Sequence, residues 1–294
     1  MLSGRLGLET ARIPHGDRHG LVWLQRGNLA VRDGTLHFVC AGSEWLDAGD
    51  YDIPFQNVSM ILLGPGLTIS HDALRLLARH GTGLAAVGSD GVRMYTAPPL
   101  MSDTSDLARR QARVWADAEG TRLDIARRLY AWRLGEVLPH REIAALRGIE
   151  GARMKETYRL IADRFGVAWN GRRYDRANPQ AADLPNQAIN HAASAVEAAA
   201  AIAVSATATI PQLGFIHEDS GQAFVLDIAD LFRDRVTLPV AFRAAAMLQK
   251  GSHRTVDQVV RRLAAETFRR ENTVGAMIDR IKDLFHADDH RRDP

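Results

Sequence analysis

The chain is 294 residues long, 46% apolar and 24% charged, with a formal net charge of +2 at neutral pH. That length favours two domains and a core that holds without cross-links, and the single cysteine, Cys40, excludes an internal disulfide framework and a thiolate metal site. So small a net charge argues only weakly for a nucleic-acid partner. All but three of the 37 basic residues are arginine, the exceptions being Lys155, Lys250 and Lys282; arginine's planar fork suits phosphate, although a GC-rich genome is the simpler source of the same bias.

Met1 to Arg12 carries no apolar stretch followed by a small-residue cleavage site, so a cytoplasmic protein is expected. The first ninety or so residues have the composition of strands. Leu21–Leu24, Leu29–Val31 and Leu36–Val39 are short β-prone runs, and Asp33-Gly34 between the last two is a hairpin signal. Val58–Leu63 predicts another strand ending at Gly64-Pro65-Gly66. Ser70 caps a short helix closed by Gly81, and Gly83–Val87 and Val92–Tyr95 give two further strands. Ala97 to Asp106, with two prolines and a polar cluster, is the linker candidate.

Beyond it the period becomes helical. Leu107–Leu134 and Glu150–Phe165 predict helices, the second with Arg153, Thr157, Leu160 and Ile161 on its inner side. After the polar loop Trp169–Pro185 comes an alanine-rich segment, Ala192–Ile210. It includes Glu197 and follows His191, so a buried helix fits better than a membrane span. Phe224–Phe232, Pro239–Leu248, Val256–Arg270 and Val274–Phe285 complete the series, with Ser252 and Asn272 as stops or caps. The expected fold is α+β: a β-rich domain over 1–96, a linker over 97–106, an all-helical domain over 107–285 and a flexible tail over 286–294.

Several chemistries are excluded by missing motifs. No phosphate-cradling G-x-x-x-x-G-K-[ST] loop, dinucleotide fingerprint, G-x-S-x-G or H-E-x-x-H occurs, so no nucleotide cofactor is expected. The stretch Leu213 to Phe232 is more informative. His217 leaves an apolar run and enters a turn, while Asp227 and Asp230 lie three apart on one face of an otherwise apolar helix. Two half-buried carboxylates so close cost several kcal/mol, of the order known for buried polar groups, unless a cation or good hydrogen bonds compensate. A divalent ion is the simplest compensator, and oxygen donors with one imidazole suit Mg²⁺ or Mn²⁺. Bland readings compete: Asp227 as a cap or a partner of Arg153, Asp230 paired with Arg233, His217 as a turn histidine. Glu150, at the start of its predicted helix, would complement the helix dipole.

Arg147-Gly148-Ile149-Glu150-Gly151-Ala152-Arg153, Asn170-Gly171-Arg172-Arg173-Tyr174-Asp175, Gly214-Phe215-Ile216-His217 and Asp227-Ile228-Ala229-Asp230, with Gly64-Pro65-Gly66 and Gly91–Tyr95 before them, form an ordered set. It resembles the CRISPR adaptation integrase, the first CRISPR-associated protein, in its type I-E form. The resemblance implies a homodimer with an N-terminal β domain and a helical domain holding one metal, Mg²⁺ or Mn²⁺, on Glu150, His217 and Asp230, with Asp227 an essential neighbour. It implies insertion of short double-stranded DNA fragments into a CRISPR array together with a small second CRISPR-associated protein. A 3′-hydroxyl would attack a phosphodiester, which needs no ATP.

Arg172, Arg173, Tyr174, Arg233 and Arg261 are the candidate DNA contacts; a solvated loop and solvated helix faces are the alternatives. Two departures from the family's pattern stand out. Glu197 occupies a place near which related chains carry a tyrosine, and the tail is short and charged. A stand-alone nuclease for branched DNA and a non-catalytic DNA-binding scaffold are the competing functions.

Overall fold

The structure is a computed structural model that describes residues 18, 20–43, 46–97, 106–117, 120–173, 182–218 and 220–285. Strands β1 (Leu21–Leu24), β2 (Gly27–Arg32), β3 (Thr35–Cys40), β4 (Gly49–Ile53), β5 (Met60–Leu63), β6 (Leu67–Ile69), β7 (Gly83–Val87) and β8 (Met94–Thr96) all precede residue 97, with helix α1 (His71–His80) among them. They form two four-stranded sheets, in the orders β1-β5-β7-β8 and β4-β3-β2-β6. The Asp33-Gly34 turn joins β2 to β3 as its composition demands. Both residues have positive φ, 50° and 77°, the twist that matches an antiparallel pair whose last partners are Arg32 and Thr35. Ser70 accepts the Ala73 N–H to start α1, and Gly81 ends it in the left-handed conformation.

The first sheet is buried on both faces. Met60 and Leu62 of β5 and Ala85 and Val87 of β7 join the large helical core, whereas Ile61 and Leu24 join a smaller core with Leu29, Phe38 and Leu77. Alternation along β5 thus ties the β-rich part to the helical part through one shared core.

The helical part comprises α2 (Leu107–Ala116), α3 (Thr121–Leu134), α4 (Ile143–Phe165), α5 (Leu184–Ala206), α6 (Ala223–Asp230), α7 (Leu238–Gln249), α8 (Val256–Arg270) and α9 (Thr273–Leu284). Helix α5 is its axis. Asp183 caps it by accepting the Asn186 N–H, and its alanines let α6, α7, α8 and α9 pack closely around it. By length and composition α5 could cross a membrane, but its buried residues are the centre of this core.

Three expectations need correction. The helix expected over Leu107–Leu134 is two, α2 ending at Ala116 and α3 beginning at Thr121. Helix α4 begins at Ile143, so Glu150 lies two turns inside it and the dipole reading of that residue falls away. The buried side of α4 is Leu146, Tyr158 and Ala162, and Ile161 packs against the core as expected; Leu160, however, is 54% exposed and Arg153 pairs outward with Glu136. A further feature is a π-helical turn, Arg233–Thr237, between α6 and α7. Most of the expected linker and the whole 286–294 tail lie outside the described residues.

Candidate active site

His217 sits on the loop between α5 and α6, and that loop is pinned by three side chains, two from α2 and one from α6. The Gln111 side chain, fully buried on α2, donates to the carbonyls of Ile210 and Leu213 at 2.9 Å each and accepts the Ile210 N–H at 2.7 Å. Trp115 Nε1 donates to the Gly214 carbonyl at 2.9 Å. From α6, the buried Asp227 carboxylate accepts the backbone N–H groups of Phe215, Ile216 and His217 and also holds His217 Nδ1 at 2.8 Å. A carboxylate bound to four donors tolerates burial that a lone one would not. The bland pairing of Asp227 with Arg153 is therefore excluded: Asp227 organises the His217 loop.

With Nδ1 occupied, the free edge of the imidazole is Nε2, which lies 3.8 Å from Asp230 Oδ2. Asp227 beside it raises the His217 pKa above the ordinary value; burial opposes this and the Asp230 charge adds to it. Asp230 ends α6 and pairs with Arg233, one turn on, and with Arg133 of α3. The Arg133 guanidinium bridges two carboxylates, with Nη1 2.9 Å from Asp230 Oδ2 and Nη2 2.6 Å from Glu150 Oε1. Glu150, His217, Asp227 and Asp230 are thus brought to one place from α4, the loop and α6. All but Asp227 line a cavity of about 790 Å³ together with Arg133 and Arg147.

Whether this set fits a divalent ion can be tested on the donors themselves. Two carboxylates and an imidazole whose far nitrogen is tied to a third carboxylate are the donor types such an ion takes, with the supporting contact that orients a ligating histidine. The spacing, however, is that of a guanidinium bridge. Among the described residues no group of three or more His, Cys, Asp or Glu side chains is set closely enough to hold a metal ion as it stands. The donors fit; Arg133 stands between two of them.

Arg133 and Arg147, whose Nη2 donates to the Ile216 carbonyl at 3.3 Å, were missed by sequence reasoning. So was Arg122, which pairs with Glu218 on the cavity wall and stacks on Trp115. Glu197 faces the same cluster, where burial and then the Asp230 charge raise its pKa.

Of the candidate DNA contacts, Arg233 lines the cavity. Arg172 bonds Asn186 at 2.9 Å and Asn190 at 2.6 Å, so its fork is directed onto α5, and the Arg173 N–H bonds Asn186 as well. Arg261 pairs with Asp257 at 2.9 Å, which also takes Arg93. Tyr174 lies outside the described residues.

Residues 21–137 and 133–258 match the family described as CRISPR associated protein Cas1. The chain belongs to the Cas1 family. It is 36% identical over 276 residues to the CRISPR-associated endonuclease Cas1 of Escherichia coli (strain K12), covering 94% of this chain and 87% of the relative. To that of Geobacter sulfurreducens it is 34% identical, with the same coverage. A crystal structure of a TtCas1–DNA complex superposes with a TM-score of 0.82 at 32% identity, over 92% of this chain and 97% of the other. A casposase bound to integration product, at 16% identity and a TM-score of 0.60, shares the fold with this Cas1 chain. The order of strands before helices is the Cas1 fold.

Proposed function

We propose that this chain is a metal-dependent DNA endonuclease and integrase that joins short double-stranded DNA fragments into a CRISPR array by attack of a 3′-hydroxyl on a phosphodiester. Membership of a family whose matched relatives are named CRISPR-associated endonucleases supports the nuclease chemistry, and the TtCas1–DNA complex supports DNA as the ligand. The observation that carries the reading is that Glu150 and Asp230, eighty residues apart in sequence, meet on one guanidinium beside the free edge of His217.

Glu150, His217 and Asp230 would hold the ion, Mg²⁺ or Mn²⁺. A divalent ion there supplies a lowered pKa for the attacking hydroxyl and charge stabilisation for the leaving oxygen. The chain's own residues do the rest. Asp227 fixes the tautomer and direction of His217, leaving Nε2 as the available donor. Arg233 and Arg147 line the cavity and offset phosphate charge as DNA enters. One phosphodiester replaces another, so the chemistry needs no nucleotide hydrolysis. The working assembly is a homodimer with the small second CRISPR-associated protein.

The test is joining of a labelled 3′-OH fragment into supercoiled plasmid by the purified protein, with and without the small partner, in Mg²⁺, Mn²⁺ or EDTA. Joining that requires the divalent ion is expected. Cutting without joining would identify a stand-alone nuclease instead, and neither reaction in any metal would leave a DNA-binding scaffold.

A further inference from the structure

Among the described residues Arg133 is one of the most buried charged side chains, 7% exposed, and its position is not that of an ordinary structural arginine. Its two terminal nitrogens are committed to Glu150 and Asp230, while Nε is buried with no partner. A purely structural buried guanidinium is expected to satisfy all its donors. This one is arranged around the two carboxylates alone and opens on the cavity. The carboxylates are correspondingly dependent on it. Glu150 is 13% and Asp230 14% exposed; Asp230 keeps Arg233 as a second partner, but Arg133 is the ion pair described for Glu150.

We infer that Arg133 is a resident counter-cation: in the metal-free protein its guanidinium takes the place between Glu150 and Asp230, and a divalent ion must compete with it for the same oxygens. This rests on the reading of Glu150 and Asp230 as metal ligands given above. Its physical basis is that two buried carboxylates facing one another without a cation are strongly unfavourable. A chain that must fold before it is loaded therefore needs a positive charge of its own at that point. The same charge weakens metal binding, because a bound ion gains only the difference between its own attraction and the guanidinium's. The site is preformed, and its affinity is held down.

The sign of the effect separates this from a role in which Arg133 merely orients the ligands. Mn²⁺ affinity would be measured by calorimetry on the full-length protein without DNA, alongside melting temperatures in EDTA and in Mn²⁺. Arg133→Met, which keeps the stem and removes the charge, is expected to melt lower than wild type in EDTA and to bind Mn²⁺ about tenfold or more tightly, the equivalent of one discharged competing contact. Arg133→Lys, whose single ammonium cannot bridge both carboxylates, is expected to lie between the two, and it decides in the same way if Arg133→Met does not fold. Asp230→Asn is the control for the underlying reading and should abolish Mn²⁺ binding. Equal or weaker Mn²⁺ affinity in the Arg133 variants, with Asp230→Asn still abolishing it, would overturn the inference and leave the metal site standing. Absence of Mn²⁺ binding in wild type and variants alike would remove both.

Discussion

One carboxylate oxygen of Asp227 takes both the backbone N–H of His217, at 3.0 Å, and the imidazole Nδ1 of the same residue, at 2.8 Å. The other oxygen takes the N–H groups of Phe215 and Ile216. Asp227→Asn keeps the shape but turns an amide NH₂ toward buried donors, so it should cost about 2–4 kcal/mol of stability. Urea unfolding at pH 7 measures this. A loss below about 0.5 kcal/mol, the range of ordinary surface changes, would mean that Asp227 does not organise the loop.

Gln111 makes the same point from the opposite side. Its three hydrogen bonds reach a segment about a hundred residues away, and its side chain has no access to water. Gln111→Leu is expected to leave two carbonyls and one N–H unpaired, costing about 2–3 kcal/mol. Hydrogen exchange should quicken across Ile210 to His217 before it does in α5. Uniform loss of protection over the whole helical part would assign the residue to the core in general.

Gly214 has no room for a side chain. A Cβ there would stand 2.3 Å from the His217 carbonyl oxygen and 2.7 Å from the Ala223 Cβ. Gly214→Ala should therefore displace the loop that aims the imidazole, at a cost of about 1–3 kcal/mol typical of overpacking, and lower DNA joining by more than it lowers the melting temperature suggests. A variant with full joining activity would show that the loop has slack.

What the sequence could reveal was local. Asp33-Gly34, Ser70 and Gly81 act on their own neighbours, and α8 spans the range its periodicity predicts, although Thr255 provides the capping box. Strand β4 escaped notice because Tyr51 and Ile53 alternate with two aspartates, and β6 is only three residues long. The start of α4 was misplaced because no capping side chain marks it: Glu142 precedes Ile143 without making a cap hydrogen bond, and the helix runs on through Gly148 and Gly151. The acidic pair was visible as an anomaly in an apolar helix, and the histidine as the residue that leaves an apolar run for the turn before it. Arg133 was not, because one arginine among many on a helix gains its meaning only from α4 and α6 packing against it.

Acid should act on the start of α3 in a definite direction. Backbone and side-chain hydrogen bonds from Thr121 hold the Asp117 carboxyl below its ordinary pKa of 3.8. A depressed carboxylate contributes stability that is present above the unfolded-state value and disappears as pH falls through the folded-state value. Asp117→Ala should thus lower the melting temperature at pH 7, and the gap to wild type should narrow below pH 3.8. A gap that stays constant with pH would mean that the aspartate acts through something other than its charge.

Glu150→Gln tests the proposed chemistry most directly, because it changes charge without shape on a residue whose fold context is secure. Glu150 lies within α4, away from both helix ends, and its oxygen faces Arg133. An amide is a poor partner for a divalent ion, so DNA joining should fall by about 10³-fold or more, in keeping with the loss of a group that stabilises developing charge. Binding of duplex DNA should hold or tighten, since one negative charge leaves a cavity bordered by Arg133, Arg147 and Arg233. Its dependence on salt should stay as steep as in wild type, because the phosphate contacts themselves are untouched. Retained joining with weakened DNA binding would reverse the assignment, making Glu150 part of the DNA contact and not of the reaction.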